Sequence, residues 1–188
     1  MVAGTAKLSR RTRGVRPARS GFTLLEVAFT LGILVVAIAS SSATTISLSA
    51  LRRANRERSV AHNAAAALAE RIHAIAHAKI GLPGAWGRNV VEVVCPAGTL
   101  GTSFDVPELE PQDGLAHVGS VVFVADETRT DASLGVQLGL PRDLDGDGAA
   151  DKIDALATAR ILPVVIEVKW KGIRGDQRLL HPFYVIEY

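Results

Sequence analysis

The stretch Asp143-Leu-Asp145-Gly-Asp147-Gly148-Ala149-Ala-Asp151-Lys-Ile-Asp154 packs five carboxylates into twelve residues. Carboxylates this close repel one another unless a cation stands among them. Their order, D-x-D-x-D-G-x-x-D-x-x-D, matches loops that give calcium oxygen ligands from positions 1, 3, 5, 7, 9 and 12. On that spacing the ligands are Asp143, Asp145, Asp147, the Ala149 carbonyl, Asp151 and Asp154, with Gly148 allowing the sharp turn. The twelfth residue is aspartate rather than glutamate, a shorter arm that weakens bidentate binding or brings in water. The same composition also suits a solvated Asp/Gly turn. Calcium is the expected cofactor, with a structural role between two strands.

Other reactive residues say less. Glu70, His73 and His77 share one helical face, but alanines surround them and no fourth ligand is evident. They read as a solvated or subunit-facing polar stripe. A single cysteine, Cys95, excludes an intramolecular disulfide; before Pro96 it reads as a small buried residue at a strand end. There is no phosphate-binding glycine loop, no G-x-S-x-G and no H-E-x-x-H. The carboxylates cluster in one loop rather than forming a separated acid/base pair, so the expectation is a protein without catalytic activity. Six of the 21 basic residues lie in 1–21, where there is no acid; the other 15 face 19 acidic residues. The body is therefore acidic, and it is not expected to bind nucleic acid.

The elements around the acidic loop can be read from pattern. Asn89–Cys95, Val118–Ala125, Ile161–Lys171 and Arg178–Tyr188 are predicted strands. In the third, Ile166, Val168 and Trp170 alternate with Glu167, Lys169 and Lys171. Gly172 to Gln177 makes the last two a hairpin, and Pro182 marks the final strand as an edge or a bulge. Pro96–His117 reads as a long loop, either a variable surface loop or a partner contact. Upstream, Val60, Ala64, Leu68, Ile72 and Ile75 recur at helical spacing, and Gly81, Pro83 and Gly84 end that helix.

From Phe22 to Leu51 the only charged residue is Glu26. That run is long enough to cross a bilayer, at ~1.5 Å rise per residue against ~30 Å of hydrocarbon. The basic residues before it predict a cytoplasmic N-terminus; Arg52, Arg53, Arg56 and Arg58 after it argue the other way but are fewer. Three readings fit a basic segment followed by an apolar one: a secretory signal peptide with a site at Ala37-Ile38-Ala39, an uncleaved signal anchor, and a leader cut before its apolar run. The first two give no reason for a glutamate inside that run.

Gly21-Phe22-Thr23-Leu24-Leu25-Glu26-Val27 resembles the prepilin peptidase site of type IV pilins and type II secretion pseudopilins. The resemblance implies cleavage between Gly21 and Phe22, methylation of the new amine of Phe22, and an assembly role for Glu26 as the fifth mature residue. It implies as partners the prepilin peptidase, other pilins or pseudopilins, and an inner-membrane assembly platform. The protein would be single-pass in the inner membrane, with its head periplasmic, before joining a pilus or pseudopilus. A weaker resemblance covers the ending VIEVKWKG…RLLHPFYVIEY, which is similar to PilV-type minor pilins and I-type minor pseudopilins. The acidic loop resembles dockerin-type and thrombospondin-type calcium repeats more than a full EF-hand, since Gly139-Leu-Pro141 forbids an incoming helix.

The expected fold class is α+β, a long N-terminal helix packed on an antiparallel sheet of about four strands. Four segments are expected: a basic leader (1–21), an apolar helix (22–51), its amphipathic continuation (52–80) and a β-rich head (81–188). A secreted or signal-anchored calcium-binding domain that does not polymerise is the rival.

Overall fold

Helix α1, Leu24–Ala78, opens on Thr23, whose hydroxyl accepts the Glu26 N–H at 3.3 Å. Thr23-x-x-Glu26 is thus the start of a capping box, and Glu26 sits where the positive end of the helix dipole favours an acid. The computed structural model describes residues 22–188, so Gly21 lies outside the described residues. By its contacts the chain divides into a unit ending at Ile46 and a second unit, Ser47–Tyr188.

In the first unit the apolar side chains are exposed around the helix, among them Leu25, Phe29, Ile33 and Val36. Five of its hydroxyls are satisfied within the helix. Thr30 donates to the Glu26 carbonyl, Ser40 to Val36, Ser42 to Ile38, Thr44 to Ser40 and Thr45 to Ser41, all at 2.9–3.0 Å. Hydroxyls bonded this way cost little in hydrocarbon. Gly32 and the Ser/Thr-rich stretch 40–49 lie inside regular helix.

In the second unit α1 packs on a four-stranded antiparallel sheet of order β1-β2-β3-β4, which makes the protein α+β. The strands are β1 Gly101–Phe104, β2 Gly119–Phe123, β3 Ile161–Gly172 and β4 Gly175–Ile186. The helix buries Ala61, Ala65, Ala69, Ile72 and Ala76. Val60, Ala64, Leu68 and Ile75, whose spacing marked the amphipathic face, flank that stripe and are half-buried. Methyl groups at the contact let the helix backbone come close, and the branched side chains fill the margins. Opposite them lie Val121, Phe123, Leu162, Val164, Ile166, Val168 and Trp170. Gly119 leaves room for the Phe104 ring, which a Cβ there would meet at 2.2 Å.

Two predicted elements differ. The predicted strand Asn89–Cys95 is instead the end of a helix, α2, Trp86–Val94, with Cys95 as its C-cap. Its buried residues are Trp86, Gly87, Val90 and Val91, a helical spacing that the valine-rich composition concealed. The Trp86 indole donates to the Ala76 carbonyl at 3.1 Å, and Gly87 lies so close to the Leu156 carbonyl that a Cβ would stand 2.7 Å from it. Packing thus overrides the β-propensity of four valines. Cys95 is buried as expected, but at a helix end, and burial raises its thiol pKa. The fourth strand is instead β1, inside the predicted loop 96–117.

The hairpin is tight, with Gly172 opposite Gly175 and Gly175 at φ 94°. Glu187 donates to the Arg160 carbonyl, which fixes the ladder phase, so even-numbered residues of β4 turn their backbone groups away from β3. Pro182 is one of these. It sits on the sheet edge, where its missing N–H breaks no ladder bond and blunts edge pairing.

β4 also carries His181, half-buried, with its ring 6.0 Å from that of His62 and 5.9 Å from that of Phe183. Burial, then the neighbouring His62, lowers the pKa of His181. The unfolded chain therefore takes up this proton first as pH falls. Its stability contribution is complete above the ordinary histidine value of about 6.5 and is lost below it. Urea melts at pH 7.5 and 5.5 should show a loss of stability at the lower pH, and His181→Gln should flatten that slope. An unchanged slope in the variant would remove His181 as its source.

Candidate metal centre

The segment between β2 and β3 carries the acidic loop. It is held to the core by Leu144, fully buried, whose carbonyl accepts the N–H groups of Arg160 and Ile161 at 2.8 and 3.0 Å. A short helix α3, Asp131–Leu134, precedes it. Asp131 takes the N–H groups of Leu138, Gly139 and Leu140 at 2.8–3.0 Å, which lowers its pKa.

Within the loop, Asp143 bends the chain about itself. Its carboxylate accepts N–H bonds from Asp145, Gly146 and Gly148 at 3.2, 2.6 and 2.8 Å. Gly146 and Gly148 take φ of 84° and 96°, the left-handed region that this winding needs. Asp145 accepts from Asp147 N–H at 3.3 Å, and Asp147 from Ala149 N–H at 2.9 Å.

The most buried acid in this region lies outside the twelve residues. Glu127, just past β2, is 0% exposed. Its two oxygens accept the N–H groups of Leu144 at 2.8 Å and Lys152 at 3.1 Å, and its own N–H donates to the Lys152 carbonyl at 2.9 Å. It therefore pins both sides of the loop to the end of the central strand. One oxygen each from Glu127, Asp143 and Asp145 lie within 4.8 Å of one another, an acidic group that could hold a metal ion. An all-oxygen set of this kind suits a hard cation.

A cation of the protein's own already stands at the loop. The Lys152 ammonium pairs with Asp145 and Asp147, and Asp145 also accepts the Thr158 hydroxyl at 2.6 Å. The lysine, then that hydroxyl, hold the Asp145 pKa down to about 2, and the two carboxylates raise that of Lys152. Asp145, 8% exposed, is thus a buried carboxylate with its charge matched.

Of the six ligands expected from spacing, Asp143 and Asp145 lie together. Asp147 turns to Lys152, Asp154 accepts the Leu156 N–H at 3.0 Å, and Asp151 and Ala149 are exposed. Sequence reasoning missed Glu127 and Lys152. Asp126-Glu127 reads as an ordinary turn, and nothing local shows that the chain returns to it. Lys152 is the only base within 143–154, a signal that was visible.

The stripe Glu70, His73 and His77 is exposed, with the His73 ring 5.2 Å from Phe183. No family model, curated protein or solved structure matches this chain.

Glu127→Ala should destabilise the protein by about 1–4 kcal/mol in denaturant melts, since the buried Leu144 N–H loses its acceptor at ~1–3 kcal/mol and the part-buried Lys152 N–H loses less. A change below about 0.5 kcal/mol would show that the loop is not held through Glu127.

Proposed function

We propose that this chain is a minor pilin or pseudopilin subunit, without catalytic activity, processed by a prepilin peptidase and assembled into or priming a type IV pilus or a type II secretion pseudopilus. The observation that carries this reading is one succession along the chain. Phe22 and Glu26, which follow Gly21 in the sequence, stand at the head of a helix whose apolar first half runs without proline into an alanine-striped half packed on an antiparallel sheet. One helix near the N-terminus is long and apolar enough to cross a membrane. In this reading it crosses the inner membrane with its N-terminus cytoplasmic and later lies among the helices of neighbouring subunits.

Glu26 then has two tasks. As the third residue of the helix it favours the helix start. After cleavage it also faces an ammonium, since Phe22 gains a free, methylated amine in apolar surroundings. An unpaired buried ammonium and an unpaired buried carboxylate each cost several kcal/mol, and pairing them offsets much of both. Between subunits that pairing sets the axial register, because a shifted neighbour leaves both charges alone. Glutamine serves a capping box as well as glutamate but carries no charge. Glu26→Gln should therefore insert in the membrane and be cleaved, yet be strongly depleted from sheared filaments or from the pseudopilus complex. Recovery at the wild-type level would remove the assembly role.

The ion for the acidic group is calcium in this reading, since the head would lie outside the cytoplasm. Asp143, Asp145 and Glu127 would hold it, with Asp147 free to join once Lys152 swings away. Bound calcium would neutralise the loop and stiffen the link between β2 and β3. It has to displace the Lys152 ammonium, so lysine and calcium compete. Lys152→Met should raise calcium affinity roughly tenfold in titration calorimetry of the full chain in detergent, on the scale of a lost charge-assisted hydrogen bond. Calcium should also raise the melting temperature of this variant more than that of wild type. No heat and no thermal shift at millimolar calcium in either protein would exclude the ion.

A further inference from the structure

Four arginines, Arg52, Arg53, Arg56 and Arg58, follow the apolar segment directly. They violate the usual charge bias, which keeps basic residues on the cytoplasmic side of a span, and the rest of the chain after residue 21 is acidic in balance. All four are exposed. Arg53 pairs with Glu57 at 3.2 Å and Arg56 with Glu108 at 2.8 Å. Among the described residues Arg52 and Arg58 have no ion-pair partner. Both arginines keep most of their side chain in solvent and can exchange these partners for another anion.

Spacing says what that anion is. From Glu26 to Arg52 the helix rises about 39 Å at ~1.5 Å per residue, close to the ~40–45 Å of a bilayer with both headgroup layers. With Glu26 at one headgroup layer, Arg52 reaches the other. At about 100° per residue the four arginines project at about 0°, 100°, 40° and 240° around the axis. A docked protein would meet one face of the helix, whereas these four surround it, as lipid headgroups do.

We propose that Arg52, Arg53, Arg56 and Arg58 form a collar that binds the phosphates of anionic phospholipids in the outer leaflet of the membrane crossed by α1. The proposal rests on the membrane-spanning reading above. The collar anchors the emerging helix at a fixed depth and draws acidic lipid around the subunit before it leaves the bilayer. Each arginine near an anionic leaflet adds roughly fivefold to the association, and salt screens it.

The test uses the full chain reconstituted in phosphatidylcholine vesicles containing spin-labelled phosphatidylglycerol or spin-labelled phosphatidylcholine. The motionally restricted fraction gives the relative affinity for each lipid. Wild type should prefer phosphatidylglycerol, and Arg52→Gln/Arg58→Gln should reduce that preference roughly threefold or more. Helix content by circular dichroism should not change. Arg10→Gln/Arg11→Gln in the basic leader should retain the collar's share, and inorganic phosphate should compete no better than chloride at equal ionic strength. A preference unchanged in Arg52→Gln/Arg58→Gln, or abolished by the leader variant alone, overturns the collar while leaving the span intact. Failure of the chain to enter the bilayer overturns both.

Discussion

Ala61, Ala65, Ala69 and Ala76 put only methyl groups between the backbone of α1 and the inner face of the sheet. That close approach governs the head. It brings Ile72 into contact with a dense aliphatic layer, in a chain whose aromatic content is only 5%. It also leaves the end of the helix beside Trp86, whose indole caps the Ala76 carbonyl and so starts α2. The valines of α2 then complete the same core. A larger residue in the alanine stripe would lift the helix and open this layer along its length.

The same helix changes character along its course. Up to Ile46 its apolar side chains are exposed, and the hydroxyls of Thr30, Ser40, Ser42, Thr44 and Thr45 bond to its own carbonyls. From Ala61 to Ala76 one stripe is buried. The first half suits hydrocarbon or the interior of a helical bundle, the second a protein core.

Period was the most readable part of the sequence. The long helix, the central strands and the final hairpin all follow from spacing, and the alternation Ile166, Val168, Trp170 lies on the buried face as read. Where composition and spacing disagreed, composition misled: Asn-Val-Val-Glu-Val-Val is rich in β-formers, yet burial at residues 87, 90 and 91 is helical. The short β1 was hidden because Gly-Thr-Ser-Phe carries little strand signal and pairs only through its neighbour β2. The acidic loop was legible as a cluster of carboxylates, but not as a structure. Its buried strut, Glu127, is distant in sequence, and its counter-charge, Lys152, becomes evident only when the chain folds back. Glu26 drew attention as an acid in an apolar run, and the structure adds a local reason for it at the helix start.

In the pilin reading the leader is cut before the apolar helix rather than within or after it. Intact-mass and N-terminal sequencing of the chain, produced together with a prepilin peptidase, tests this directly. The expected product is a mature protein beginning at Phe22 with a methylated amine. A chain that still begins at Met1, or one that begins near Ser40, would contradict it.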